Sequence, residues 1–151
     1  MAQGDVVFFD QWMVDVAEKK HDHENDAFYL GIVDGVITPT ATTADPRWAA
    51  LGSTNLAANE VSGTNYTAGG NVLANPSVAL VGGAAEIDWD DPTAWSQHAT
   101  GPTDMTWGII YNSTSATKEC VGFVDLGGVF SLVAGDLTIV FGTPAADMDQ
   151  V

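Results

Sequence analysis

Residues 19–26 read KKHDHEND, the one stretch whose side-chain types and spacing suggest chemistry. His21 and His23 stand two apart. In an extended segment, positions i and i+2 face the same way, so both imidazoles could approach one divalent metal, with Asp22, Glu24 and Asp26 supplying oxygens. A structural metal site usually takes four protein ligands and a catalytic site three. The sequence offers no cysteine cluster, no histidines at helical spacing and no Glu-flanked pair of the HExxH kind. A polar turn fits these residues better, with Asn25 and Asp26 making local hydrogen bonds. IDWDDP gathers Asp88, Asp90 and Asp91. Clustered carboxylates can serve acid–base work or calcium, but the mid-loop Gly and distant Glu of a helical-hand calcium loop are missing. The stretch reads as a strand end, Trp89 inward and the acids outward. Cys120 lies in the apolar KECVGFVDLGG, and His98 sits in an unrelated polar segment. A reactive thiol needs a neighbouring base and an electropositive setting, so Cys120 reads as a small buried hydrophobe. The pairs Gly69–Gly70, Gly82–Gly83 and Gly127–Gly128 lack the following helix and Lys of a phosphate cradle, and read as turns or bulges. No GxSxG elbow occurs. The expectation is a non-enzymatic chain with no catalytic residue, no cofactor and no metal.

The elements that would carry these residues are short. Phe9, Trp12, Met13, Val16 and Ala17 recur at i, i+3, i+4, i+7 and i+8, which predicts one face of a helix over about Asp10 to Lys19. Lys19 and Lys20 would close its C-terminal end, where cations suit the helix dipole. AFYLGIVDG predicts a strand ending in an Asp-Gly turn. NVLA, SVALVGG, AEIDWDD, MTWGIIYN, CVGFVDLGG and DLTIVFG follow as further strands, separated by Gly, Asp, Asn and Pro. This spacing predicts a mainly β domain, an antiparallel sandwich or partly closed barrel with one short N-terminal helix and long loops. The loops are VITPTATTADPRWAALGSTNLAANEVSG and DPTAWSQHATGPTD, each with one tryptophan, Trp48 and Trp95, as its expected anchor. Of the five tryptophans (Trp12, Trp48, Trp89, Trp95 and Trp107), exposed ones could stack on sugars or anchor an interface and buried ones form core. No repeat or linker divides the chain, so 1–151 reads as a single domain, with 143–151 a short acidic tail in extended form.

Charge bounds the partners. Twenty acids face four basic residues, a net charge of −16 over 151 residues. Such a surface repels phosphate backbones and anionic lipid, so neither nucleic acid nor membrane is expected as a partner. Self-repulsion favours solubility and strains the compact state, and salt relieves it, which is compatible with a salty habitat. The opening MAQGDVVFFDQWMV has no basic region, Asp5 and Asp10 interrupt its apolar run, and no signal peptide is read there. The sequons at Asn65 and Asn112 are therefore set aside.

Taken together, GIVDGVITPTATTADPRW, NEVSGTNYTAGGNVLANPSVALVGG, DWDDPTAW, MTWGIIYN and VGFVDLGG…GDLTIVFG resemble a group of small virion-associated proteins of tailed bacteriophages. The resemblance covers roughly residues 8 to 142, and its motifs are structural. It implies a β protein of the phage particle, most simply a capsid decoration (cement) protein. It further implies contacts with the major capsid protein and with copies of itself, a closed-symmetry oligomer such as a trimer, and residence on the capsid surface after assembly in the host cytoplasm. The alternative it leaves is a tail or neck component binding host surfaces or carbohydrate. No catalytic residue is carried over, and the acidic ending TPAADMDQV departs from the group's pattern.

Overall fold

The computed structural model describes residues 5–142 and 144–148. The chain begins with strand β1 (Val6–Phe8) and runs directly into helix α1 (Asp10–Ala17). Then come β2 (Phe28–Val33), the two-residue strands β3 (Pro46–Arg47) and β4 (Thr54–Asn55), a 3₁₀ turn (Leu56–Asn59) and β5 (Asn71–Leu73). The second half holds β6 (Ser77–Val81), β7 (Ala84–Asp88), β8 (Met105–Asn112), β9 (Cys120–Phe130) and β10 (Ala146–Met148). The protein is mainly β, with one short helix and antiparallel main sheets.

The principal sheet has the order β1-β9-β8-β2-β5, and its two edges do not meet, so no barrel closes. Its centre is the β8–β9 hairpin with β2 alongside, Leu30 opposite Ile110 and Ile109 opposite Phe123. A second sheet, β10-β7-β6, has Ala146–Met148 laid antiparallel on β7. This part of the 143–151 tail is thus extended and paired; residues 143 and 149–151 lie outside the described residues.

FYLGIV, GIIYN and CVGFV are apolar almost throughout because both faces of the principal sheet are covered. On one face Phe28, Leu30, Ile32, Ile110, Val124 and Leu126 pack with Trp12, Ile87 of the second sheet, Trp89, Trp95 and the segment from Leu132 to Phe141. On the other, Val33, Ile109, Tyr111, Cys120 and Phe123 pack with Phe9, Trp48 and Leu56. The shift of register between Ile110 and Tyr111 inserts one residue in β9, so Cys120 shares a face with Phe123, and Val121 with Val124, although each pair is three positions apart.

Two expectations need correction, and one strand is additional. The helix covers Asp10–Ala17, but its buried residues are Trp12 and Asp15, while Met13 is 58% exposed and Ala17 faces solvent. DLTIVFG is extended, with Leu137, Ile139 and Phe141 buried in alternation, yet it forms only an isolated bridge between Trp95 and Leu137. Its side chains follow a strand's period because one side lies on the core, without a neighbouring ladder to make it a sheet member. Strand β1 was not anticipated: three residues carry too little periodicity, and its partner β9 lies more than a hundred positions away.

Candidate functional site

The KKHDHEND segment leaves α1 and enters β2. Its polar half is a turn, as its composition suggests. Asp22 accepts from the Glu24 and Asn25 backbone N–H groups (both 3.2 Å) and from the Asn25 amide, while the Asp22 N–H donates to Asp26 Oδ2 at 2.9 Å. The histidines turn inward. His23 is buried, stacks parallel on Phe28 with ring centroids 4.9 Å apart, and accepts the Trp12 indole N–H on Nε2 at 2.9 Å. An indole N–H can only donate, so the neutral His23 ring carries its proton on Nδ1. Burial, with His21 adding repulsion, pushes the His23 pKa down to about 4. Burial lowers His21 as well, against the pull of Asp15, Glu119 and Asp26. His21 Nε2 and His23 Nδ1 are buried without a protein partner. Among the described residues, no three His, Cys, Asp or Glu side chains gather as a metal cage. A depression of about 610 Å³ lies outside the loop, between Val16 and Lys19 of the helix end, His21, His23, Glu24 and Val78 of β6.

Beneath this loop lies a buried polar network that the sequence did not announce. Asn112, at the end of β8, is fully buried. Its amide donates to Asp26 Oδ2 (2.6 Å) and to the Lys20 carbonyl (3.2 Å), beside His21 Nδ1 at 3.3 Å. Its oxygen accepts the backbone N–H of Thr114 and of Ser115. One side chain thereby ties the α1–β2 loop to the β8–β9 turn, and the sequon at Asn112 is closed to any sugar. Asp15 is buried on the helix face because Gln11 and Lys20 satisfy it, at 3.2 and 3.3 Å. Glu119 is buried beside Arg47, whose Nη1 lies 2.5 Å from Glu119 Oε1 while Nη2 lies 2.5 Å from Asp45 Oδ1. Burial opposes ionisation of Glu119, but the Ser115 and Thr117 hydroxyls and Arg47 outweigh it and hold its carboxyl down at about 2.

The remaining candidates are bound into structure. Asp88 Oδ1 accepts the Ala145 N–H at 3.0 Å, Asp91 Oδ1 accepts the Phe141 N–H at 2.8 Å, and Asp90 Oδ2 accepts the Asn75 amide at 2.6 Å. The IDWDDP carboxylates thus fasten the C-terminal segment, with Trp89 buried between them. Cys120 is fully buried, burial pushes its thiol well up, and His98 lies on the exposed loop after Trp95. Four of the five tryptophans are buried; Trp107 is half-buried, edge-on to Phe123.

Each long loop is pinned by its tryptophan. Trp48 stacks on Tyr111 at 4.9 Å and lies over Gly31, where a Cβ would come within 2.4 Å of the indole. Trp95 exchanges two backbone hydrogen bonds with Leu137, both 2.9 Å. Three of the four basic residues are also engaged within the molecule. Lys20 pairs with Asp15 and Glu18, Arg47 with Asp45 and Glu119, and the Lys118 ammonium donates to the Ser113 carbonyl. The solvent-facing charge is therefore almost entirely negative. No protein-family model, curated protein or solved structure matches the chain. A functional reading therefore rests on this geometry and on the sequence motifs.

Proposed function

We propose that the protein is a non-enzymatic structural component of a phage particle, decorating and stabilising the capsid shell through loop contacts with the major capsid protein and with copies of itself. The observation that carries the reading is how the long loops are held. Trp48 and Trp95 bury their rings in the two cores, so the surfaces around them are formed before any partner arrives. A preformed loop loses little conformational entropy on docking. The buried ionisable groups serve this rigidity: Asp15 pairs with Lys20, and Arg47 with Glu119 and Asp45, inside the fold. The acidic exterior keeps free copies apart and suits a basic patch on a shell protein.

The second reading is a tail or neck component that binds host surfaces or carbohydrate. Sugar stacking calls for open aromatic faces, and among the tryptophans that task would fall to half-buried Trp107. Cryo-electron microscopy of purified particles separates the readings. Density for this chain on the outer shell is expected. Density only at the neck or tail supports the second reading, and a chain absent from the particle rejects both.

A further inference from the structure

The hairpin of β6 and β7 carries an open apolar strand. Every residue of β6 is exposed, with Val78 at 39%, Leu80 at 80% and Val81 at 51%. β6 is also an edge of its sheet, in the order β10-β7-β6. Gly82 and Gly83 join the strands with φ of +60° and +93°, the pair of positive values a type I′ two-residue turn requires. A Cβ at either glycine would meet nothing, so the tip stands clear of the body. Val81 pairs with Ala84 across this turn, and Ala79 with Glu86. In such a hairpin the turn-flanking pair is hydrogen-bonded and the pattern alternates. Ser77, Ala79 and Val81 therefore direct their peptide groups at β7. Val78 and Leu80 direct theirs outward, with no strand beyond them among the described residues.

We propose that this edge is the site where a second copy of the chain pairs, β6 against β6 antiparallel about a two-fold axis at Ala79. The inference rests on the self-association within the function proposed above and names its surface. Val78 would lie opposite Leu80 of the second copy and exchange two hydrogen bonds with it, and the symmetric pair would repeat this, four bonds in all. The sequence SVALV is close to palindromic about its centre. Val78, Leu80 and their counterparts therefore form one apolar patch on one face, and Ala79 meets Ala79 on the other. Charge selects a copy of this chain as the occupant. Residues 61–85 contain none of the 20 acids and none of the basic residues of a chain of net charge −16. A cationic partner would be drawn to the acidic remainder, whereas a like-charged copy can approach closely only along a neutral strand. Ser77–Val81 also lacks the lysine, proline or bulge with which open edges are usually blunted. The pair consumes the edge of both copies and closes at two, so a three-fold arrangement would need another surface.

The test uses the full chain. In the non-hydrogen-bonded Ala79 pair the Cα atoms would stand about 4.5 Å apart, within disulfide reach. Ala79→Cys, oxidised at high salt, is expected to give a covalent dimer, while Ser77→Cys, which would face Val81 of the other copy, cross-links little. The buried Cys120 stays silent in both. Light scattering of the unmodified chain at high salt is expected to move from 15.8 kDa toward twice that mass as concentration rises. Leu80→Lys, at a position open enough to leave folding intact, is expected to weaken association by about tenfold or more. Equal cross-linking of the two cysteine variants, or undiminished association of Leu80→Lys, overturns the proposal. If the chain still associates in that case, self-assembly survives on a different face. If β6 pairing is found and the chain is absent from particles, the capsid function fails and the pairing stands.

Discussion

Acid should loosen the contact between helix α1 and the sheet through His23. Its Nε2 accepts the Trp12 N–H, so a second proton on the ring can be added only by breaking that bond. Burial first, and His21 second, depress His23 from 6.5 to about 4. The unfolded chain thus takes up the proton at higher pH than the folded chain. The stability due to neutral His23 is fully present above about pH 6.5 and is lost as the pH falls toward about 4. At 1.36 kcal/mol per pH unit this amounts to about 3 kcal/mol. With a urea slope of about 2 kcal/mol/M, the midpoint would fall by about 1.5 M. Glu119 is lost in a separate window, because its carboxyl, held at about 2, gives up its contribution as the pH falls below its ordinary 4.5. The assay is urea unfolding followed by tryptophan fluorescence at a series of pH values from 7.5 to 4, for the wild type and His23→Gln. Glutamine keeps an oxygen acceptor for Trp12 and cannot titrate. The variant starts lower at pH 7.5, having lost the stack on Phe28. Its advantage is a flatter curve, with a residual slope from His21, so the gap to wild type closes by about 3 kcal/mol at the acid end. Parallel curves between pH 7 and 4 would refute the assignment.

Three further outcomes follow from the packing. Arg47→Met or Glu119→Gln alone breaks the buried pair and should cost about 1.5–3 kcal/mol, since Arg47 keeps Asp45 and Glu119 keeps the Ser115 and Thr117 hydroxyls, with the double variant recovering part of it in a double-mutant cycle. Gly31→Ala pushes a methyl into the Trp48 indole; it should cost about 1–3 kcal/mol in urea unfolding and shift Trp48 fluorescence to the red as the loop lifts. Asn112→Ala leaves the Lys20 carbonyl, Asp26 and two N–H groups short of a partner and should cost about 1–3 kcal/mol. Hydrogen exchange should then accelerate across residues 20–26 and 113–115 together, and acceleration of only one segment would contradict the clamp.

Much of the sheet was legible because its strands are runs of β-branched and aromatic residues closed by turn formers, as in FYLGIV before Asp34 and SVALV before Gly82. The short helix was legible from its period, but its orientation was not. The periodicity of Phe9, Trp12, Met13, Val16 and Ala17 assigns faces by hydrophobicity alone, whereas Asp15 is 1% exposed through Gln11 and Lys20. Partners that satisfy a buried acid are invisible in a local pattern. The same limit hid the network at Asn112, which reads as a strand-end turn former and gathers contacts from positions 86 to 92 residues away. KKHDHEND was half legible. Its turn chemistry is local and follows from Asp, Asn and Glu, while the inward rotation of both rings depends on Phe28 and Trp12, which no spacing rule links to them. The β3–β4 pair is parallel and two residues long, too short to leave any pattern.

The indole of Trp48 sits where the bare backbone of Gly31 lets it reach the sheet, and with Phe9 and Leu56 it roofs an apolar layer of central-strand side chains. The stretch between β2 and β5 is thus a wall of the building, although its composition suggests trimming. A protease cut near Ala49 or Leu51 would expose that layer to water, and the nicked chain should open as a whole.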